Sequence, residues 1–306
     1  MFQIKHLLLA GTVACLSLAG CNKEPKPQPQ ITALPNTIVA ELHSGHLHDD
    51  LFHGNPDFKD LQFPLKGAYT LTLKLNPDGK TYSPTTSEPL RLEAHTAWSV
   101  EIAMFDAAGT RLNPNYLNGQ YRFFLSASDM RRYTPGQTTP GEALNEPLEQ
   151  VMSAFQYRDT NPEAEMYMAE ESPNVHLTGI PVGFKGFFND PQTEQNNHYV
   201  GISQKYVEFN LVYTLMYFAS AADKAKTDAS PSAYDTRSIG SAVPALSFSL
   251  PIRIITERPS DDGPSYNAYI SDIAKEYGLT AQEVEKLYEE ALNVPTEGDE
   301  EHEYHM

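Results

Sequence analysis

From Ile38 onward, apolar and polar residues alternate with a period of two, the pattern of a strand that buries one face. Ile38, Ala40 and Leu42 alternate with Val39, Glu41 and His43. Tyr69, Leu71, Leu73 and Leu75 alternate with Thr70, Thr72, Lys74 and Asn76, and Asn76-Pro77-Asp78-Gly79 closes that strand as a turn. Leu90 and Leu92 open another strand. Trp98, Val100, Ile102 and Met104 carry the alternation to a hairpin turn at Asp106–Gly109, and Tyr121, Phe123 and Leu125 begin the next strand. Residues 127–148 read as a long irregular loop, and 149–157 as a strand or short helix. Val182 to Phe188 reads as a strand whose Gly183 and Gly186 permit a bulge or a close backbone approach. The strongest signal runs from Val207 to Tyr217. Its second face also carries Val212, Met216 and Phe218, which predicts a central strand. A polar loop spans Asp223 to about Ser241. Leu246 to Ile254 forms the last strand, with Pro251 pointing to an edge or a bulge.

Strands at this spacing, separated by Gly- and Pro-rich turns, predict a mainly β chain: a β-sandwich of Ig-like or jelly-roll type, one large or two small. The period then changes. Pro264 opens a helix at a favoured position. Tyr266, Tyr269, Ile270, Ile273 and Tyr277 share one helical face, and Gly278 stops it. Thr280-Ala281-Gln282-Glu283 is a capping box for a second helix striped by Val284, Leu287, Tyr288 and Ala291. The expected organisation is therefore residues 36–258 as the β-sandwich region, 259–294 as a C-terminal helical hairpin and 295–306 as an acidic tail.

Charge and cysteine use narrow the setting. A formal net charge of −18 disfavours nucleic acid and anionic lipid surfaces as partners. The chain has 2 cysteines. Cys15 lies inside an apolar N-terminal run and Cys21 is the single cysteine beyond that run, so no intrachain disulfide is expected. Lys5 and His6 precede the apolar Leu7–Leu18, a run too short for a transmembrane helix. Leu18-Ala19-Gly20-Cys21 resembles the lipobox of bacterial lipoproteins. That resemblance implies a signal peptide over 1–20, lipidation of Cys21, and attachment to the cell envelope through a lipid anchor. Residues 21–35, with proline alternating with polar residues, read as a semi-rigid tether.

Candidate chemistry is concentrated in His43-Ser44-Gly45-His46-Leu47-His48-Asp49-Asp50-Leu51-Phe52-His53. Four of the ten histidines fall within these eleven residues. Imidazole suits borderline metals such as zinc, copper, nickel and iron, and also haem iron. His46 and His48 are two apart and share a strand face. His43 has the opposite parity and joins them only through a bend, which Gly45 would supply. His53 follows a short loop, and Asp49 or Asp50, with Asp50 the candidate ligand, serves as a ligand or orients one. His95, His176 and His198 are further candidates to fold back onto the cluster. Met166 and Met168 read as core fillers, and Arg131-Arg132-Tyr133 as a solvated loop that would otherwise meet an anionic ligand.

His46-x-His48-x-Asp50 is similar to part of the first metal motif of metallo-β-lactamase-like hydrolases, but Leu51 stands where that motif has histidine. The His-x-His pair of amidohydrolases belongs to a barrel whose repeats are not visible here. The cupin pattern needs a glutamate where His53 stands. No G-x-S-x-G, H-E-x-x-H or nucleophilic cysteine is present. The expectation is a non-enzymatic binding protein. Its signal, tether and layout resemble Bacteroidota outer-membrane and surface lipoproteins that work beside TonB-dependent transporters. The resemblance implies capture of a metal or haem and handover to such a transporter. The competing expectations are a structural, adhesive or glycan-binding surface lipoprotein with Tyr116 or Tyr133 lining a groove, and a metal-dependent hydrolase.

Overall fold

The computed structural model describes residues 34–48, 51–54, 67–152, 154–166, 174–188, 206–228, 233–234, 242–259 and 263–292. Thirteen strands and three α-helices follow one another along these residues. The strands are β1 (Thr37–His48), β2 (Leu51–Gly54), β3 (Ala68–Leu75), β4 (Tyr82–Pro84), β5 (Leu90–Glu93), β6 (Ala97–Phe105), β7 (Tyr121–Arg132), β8 (Phe155–Tyr157), β9 (Thr160–Asn161), β10 (His176–Leu177), β11 (Lys185–Phe188), β12 (Val207–Tyr217) and β13 (Val243–Ile255). The helices are α1 (Ala221–Asp228), α2 (Pro264–Tyr277) and α3 (Ala281–Leu292).

A seven-stranded sheet in the order β4-β3-β1-β6-β11-β8, with β2 paired to β1, faces a four-stranded sheet in the order β5-β13-β12-β7. The alternation explains the stacking. Ile38, Ala40 and Leu42 of β1 and Val100, Ile102 and Met104 of β6 share one continuous core with Leu211, Tyr213 and Leu215 of β12 and Leu250, Ile252 and Ile254 of β13. One core spans both sheets, so the described strands make one large sandwich. Phe123 ties the layers together. Its ring lies 5.7 Å from Phe184 on one side and 5.7 Å from Tyr213 and 5.8 Å from Phe248 on the other, within the range where aromatic pairs attract.

Several local expectations are revised. β7 does not give way to a loop at 127 but continues to Arg132, opposite Val207. Its last part lacks alternation because the ladder shifts register opposite Glu208–Asn210, and Asp129 takes a left-handed φ of 54° to absorb the irregularity. Helix α1 stands where a polar loop was expected. β13 is central rather than at an edge. Pro251 is tolerated because β5 pairs only with Ile252–Ile255, so among the described residues no strand flanks Pro251 on that side. Tyr116 and Tyr133 line no groove. They are 4% and 7% exposed; Tyr116 packs edge-on to Tyr121, and the Tyr133 hydroxyl donates to the Ile254 carbonyl at 3.2 Å.

The helical pair forms as its caps dictate. Gly278 adopts φ 66° past the end of α2, and Thr280 and Glu283 exchange backbone and side-chain hydrogen bonds at the start of α3. Tyr269, Ile270, Ile273, Val284 and Tyr288 pack together with Ile255 at the end of β13. A buried carboxylate pins the pair to the sandwich. Glu276 accepts from Arg91 Nε at 2.7 Å and from Arg253 at 3.0 Å.

Candidate functional site: a histidine-bearing hairpin

β1 leaves the body of the sandwich at Gly45. Up to that residue it has β6 on one flank, with Gly45 opposite Ala97. β3 holds the other flank only as far as His43, and from Gly45 onward β2 takes it over. The register there is Gly45 with Gly54, His46 with His53, Leu47 with Phe52, and His48 with Leu51. His53 therefore lies on a paired strand, which follows β1 after the short connection Asp49-Asp50.

Pairing decides which histidines meet. Directly opposite residues of an antiparallel pair share a face. His46 and His53 are thus placed on one face, the parity of the core-facing Ile38, Ala40 and Leu42. The rings of His46 and His53 are 4.8 Å apart at 79°, and His53 Nδ1 lies 3.2 Å from His46 Nε2 in a hydrogen bond. One of these nitrogens must offer a lone pair to the other. The side chain of His48, and Asp50 altogether, lie outside the described residues, as does His198.

His43 goes elsewhere. β1 runs straight through Gly45, so the expected bend does not occur and His43 keeps the opposite face, with its carbonyl 3.4 Å from the Ser99 hydroxyl. Gly45 serves a different purpose. A Cβ there would stand 2.3 Å from the His53 carbonyl oxygen and 2.4 Å from the Phe52 ring. Glycine is what lets β2 approach this closely. Phe52 itself is fully buried on the back of the hairpin against Ala97 and Phe187, with Leu47 and Met166 beside it. Met166 is thus a packing residue, as expected.

Behind this apolar wedge lies a network that the sequence pattern did not reveal. Glu41 and Glu101 are directly opposed on β1 and β6. Arg111 joins Glu101 at 3.0 Å and Glu163 at 2.8 Å, and Asn113 donates to the same Glu163 carboxylate. Lys185 is 1% exposed and donates to the Thr160 hydroxyl at 2.9 Å and to the Glu165 carbonyl at 2.6 Å. Burial and the neighbouring Glu101 push the Glu41 carboxyl up, against the opposing pull of Arg111. Burial pushes the Lys185 ammonium down. These contacts fix the segment that ends in Met166, and through it the back of the hairpin. The residues are far apart in sequence and belong to no motif, so no local signal links them.

Two other histidines are placed. His176 sits on β10 opposite Asn161, and His95 occupies the turn between β5 and β6. Among the described residues, no three His, Cys, Asp or Glu side chains are grouped closely enough to hold an ion. The described chemistry is a two-imidazole pair on a projecting hairpin. Among the described residues no helix is long and apolar enough to cross a membrane. Comparison of the chain with protein-family models, with curated proteins and with solved structures returns no match.

Proposed function

We propose that this protein is a lipid-anchored cell-envelope binding protein that captures a transition-metal ion on the β1–β2 hairpin, without catalysing a reaction. The apposition of His46 and His53 carries the reading. Two nitrogens bound to one tetrahedral zinc ion at about 2.0–2.1 Å each stand about 3.3 Å apart. The 3.2 Å between His53 Nδ1 and His46 Nε2 is close to that spacing. Modest rotation of the rings would turn both lone pairs toward one ion. His46 is exposed, so an ion reaches it from solvent. His48 and Asp50 are the nearest further ligands by sequence.

A bare ion fits this pair better than haem. Two axial imidazoles lie on opposite sides of the macrocycle, whereas these nitrogens meet with nothing between them. The lipobox resemblance of Leu18-Ala19-Gly20-Cys21 supports an anchor through Cys21 at the outer membrane or cell surface. Handover of the ion to a TonB-dependent transporter follows from the lipoprotein resemblance.

The test is titration of the untagged protein with zinc, copper, nickel and iron, with haemin in parallel. The expected result is stoichiometric binding of a metal ion, lost at least a hundredfold in His46→Ala/His53→Ala. Wild-type protein that binds no metal, or a double variant that binds as wild type does, would overturn the proposal. Cys21→Ser is expected to move the protein from the membrane to the soluble fraction.

A further inference from the structure

We infer that the end of the sandwich where β1 begins rests on a phospholipid bilayer, which it meets through Leu117 and Ile180. The inference rests on the lipid-anchored reading above. Position, composition and reach support it.

Among the described residues, the exposed large hydrophobic side chains are Leu117, 44% exposed, and Ile180, 56% exposed. They are far apart in the chain, yet both border Gly119. A Cβ built on Gly119 would lie 4.0 Å from Ile180 Cγ2 and 3.5 Å from the Ala221 Cβ, and Leu117 stands two residues before Gly119. Ala221 and Ala222, at the start of α1, are exposed as well. Single exposed aliphatic residues are ordinary; apolar side chains brought together from three separate segments mark a contact surface.

The topology puts this surface at one end of the molecule. The chain leaves β6 at Phe105 and enters β7 at Tyr121, and the Leu112 N–H donates to the Met104 carbonyl at 2.7 Å, so 112–120 lies where these strands meet the end of the sandwich. β12 stops there too, with Tyr217 opposite Tyr121, and α1 follows it. Val182, two residues after Ile180, accepts from the Phe123 N–H at 2.7 Å. Thr37 is opposite Phe105, so β1 starts at this same end. The histidine pair is at the other end, about 30 Å from Thr37 to His46 along β1 at 3.3 Å per residue.

Composition fits a lipid occupant. The chain carries 40 acidic residues, yet 112–121, 177–184 and 217–222 contain no Asp, Glu, Lys or Arg. Charge is costly against the apolar part of a bilayer, and these segments bring none. Asp223, next along α1, is answered by Lys226 at 2.7 Å. Reach fits as well. Leu34, where the described chain begins, is 13 residues from Cys21, at most about 45 Å of extended chain. A lipid on Cys21 therefore keeps Leu117 and Ile180 within reach of the bilayer that holds it. A second contact made by a tethered protein works at an effective concentration in the millimolar range. Two aliphatic side chains, too few to bring a free protein to lipid, then suffice to seat a tethered one, with the histidine pair facing away from the membrane.

The experiment uses the full-length protein carrying its lipid, reconstituted into phosphatidylcholine vesicles with and without bromine on the acyl chains. Leu117→Trp and Ile180→Trp place reporters at two exposed points of the surface, and both are expected to melt with the wild type. Trp98, the one native tryptophan, is buried opposite Ser44 near the hairpin and supplies a constant background. Emission from both variants is expected to shift to the blue on vesicles and to lose intensity in brominated lipid. Asn267→Trp, on the exposed side of α2 at the hairpin end, is expected to do neither. Emission from positions 117 and 180 that bromine leaves unchanged overturns the inference, while lipid found on Cys21 keeps the anchored reading in place. A blue shift without bromine quenching that grows with protein density shows a second copy on this surface, and overturns the inference too. A wild-type chain that carries no lipid and stays in the soluble fraction overturns the anchored reading and the inference with it.

Discussion

Gly45→Ala is the sharpest probe of how the hairpin holds its histidines. The added Cβ would meet the His53 carbonyl oxygen at 2.3 Å and Phe52 Cζ at 2.4 Å, where ordinary contact begins at 3.4 Å. Neither neighbour yields easily. The first is backbone, and the second is a fully buried ring whose centroid lies 5.6 Å from that of Phe187. The relief must come from β2 moving away from β1 by about 1 Å, a local overpacking that costs about 1–3 kcal/mol. The same movement carries His53 away from His46. Their nitrogens, now 3.2 Å apart, separate to about 4 Å, beyond the span of two ligands on one tetrahedral ion. The expected consequence is a loss of at least tenfold in zinc affinity, about 1.4 kcal/mol. Competition titration reads the affinity, and the fluorescence of Trp98, buried in the core, reports whether the sandwich melts as before. Gly179→Ala is the control, because nothing lies within 4 Å of its added Cβ. If Gly45→Ala binds zinc as tightly as wild type, the close approach of the two strands does not set the site.

Four further outcomes follow from particular contacts. His43→Ala is expected to leave zinc affinity within about twofold, because His43 has the opposite face of β1; a tenfold loss in the titration would contradict the face assignment. Glu276→Ala leaves Arg91 and Arg253 facing each other across a site where the Glu276 side chain is 2% exposed, and should lower unfolding free energy by about 3–5 kcal/mol in a denaturant titration; a loss under about 1 kcal/mol would show that the ion pairs do not hold the helices down. Thr280→Ala should cost about 1 kcal/mol by removing the α3 cap, measured the same way and refuted by an unchanged midpoint. The Glu93 carboxyl is pushed up by burial and by Glu257, against the Arg258 N–H it accepts. Its contribution to stability is therefore full below the unfolded glutamate value, about 4.3, and is lost as pH rises through the raised native one. Glu93→Gln should melt above wild type at pH 7 and level with it at pH 4; a difference that does not change with pH would refute this.

Much of the scaffold was legible because its strands bury one face and expose the other. Tyr69–Leu75, Trp98–Met104 and Val207–Tyr217 carry that alternation openly, and Pro264, Gly278 and Thr280–Glu283 mark the helix ends by chemistry that needs no tertiary context. The end of β7 was illegible for the opposite reason. Its register shift at Asp129 breaks the alternation while keeping the strand. For the site, the histidine cluster was visible but its partition was not. Which imidazoles meet depends on the pairing of Gly45 with Gly54, a register set by space for Phe52 under the backbone. The Glu276 clamp and the Arg111–Glu163–Lys185 network join residues brought together only by the fold, and single charged residues carry no periodicity to announce them.

β1 runs uninterrupted from the side of the proposed tether to the proposed ligand arm. It spans 12 residues, about 40 Å at 3.3 Å per residue. Over Thr37–His43 it is bonded on both flanks, antiparallel to β3 and to β6. Ladder bonds lie across the strands. A pull applied through the proposed lipid anchor would therefore stress β1 along its length and strain two ladders in shear at once. Such a strand yields only when many bonds fail together, whereas an edge strand peels one bond at a time. The strand that presents the histidines is thus also the one that would take up tension through the proposed anchor, and that tension would be resisted over Thr37–His43, ahead of the hairpin, leaving the spacing of His46 and His53 undisturbed.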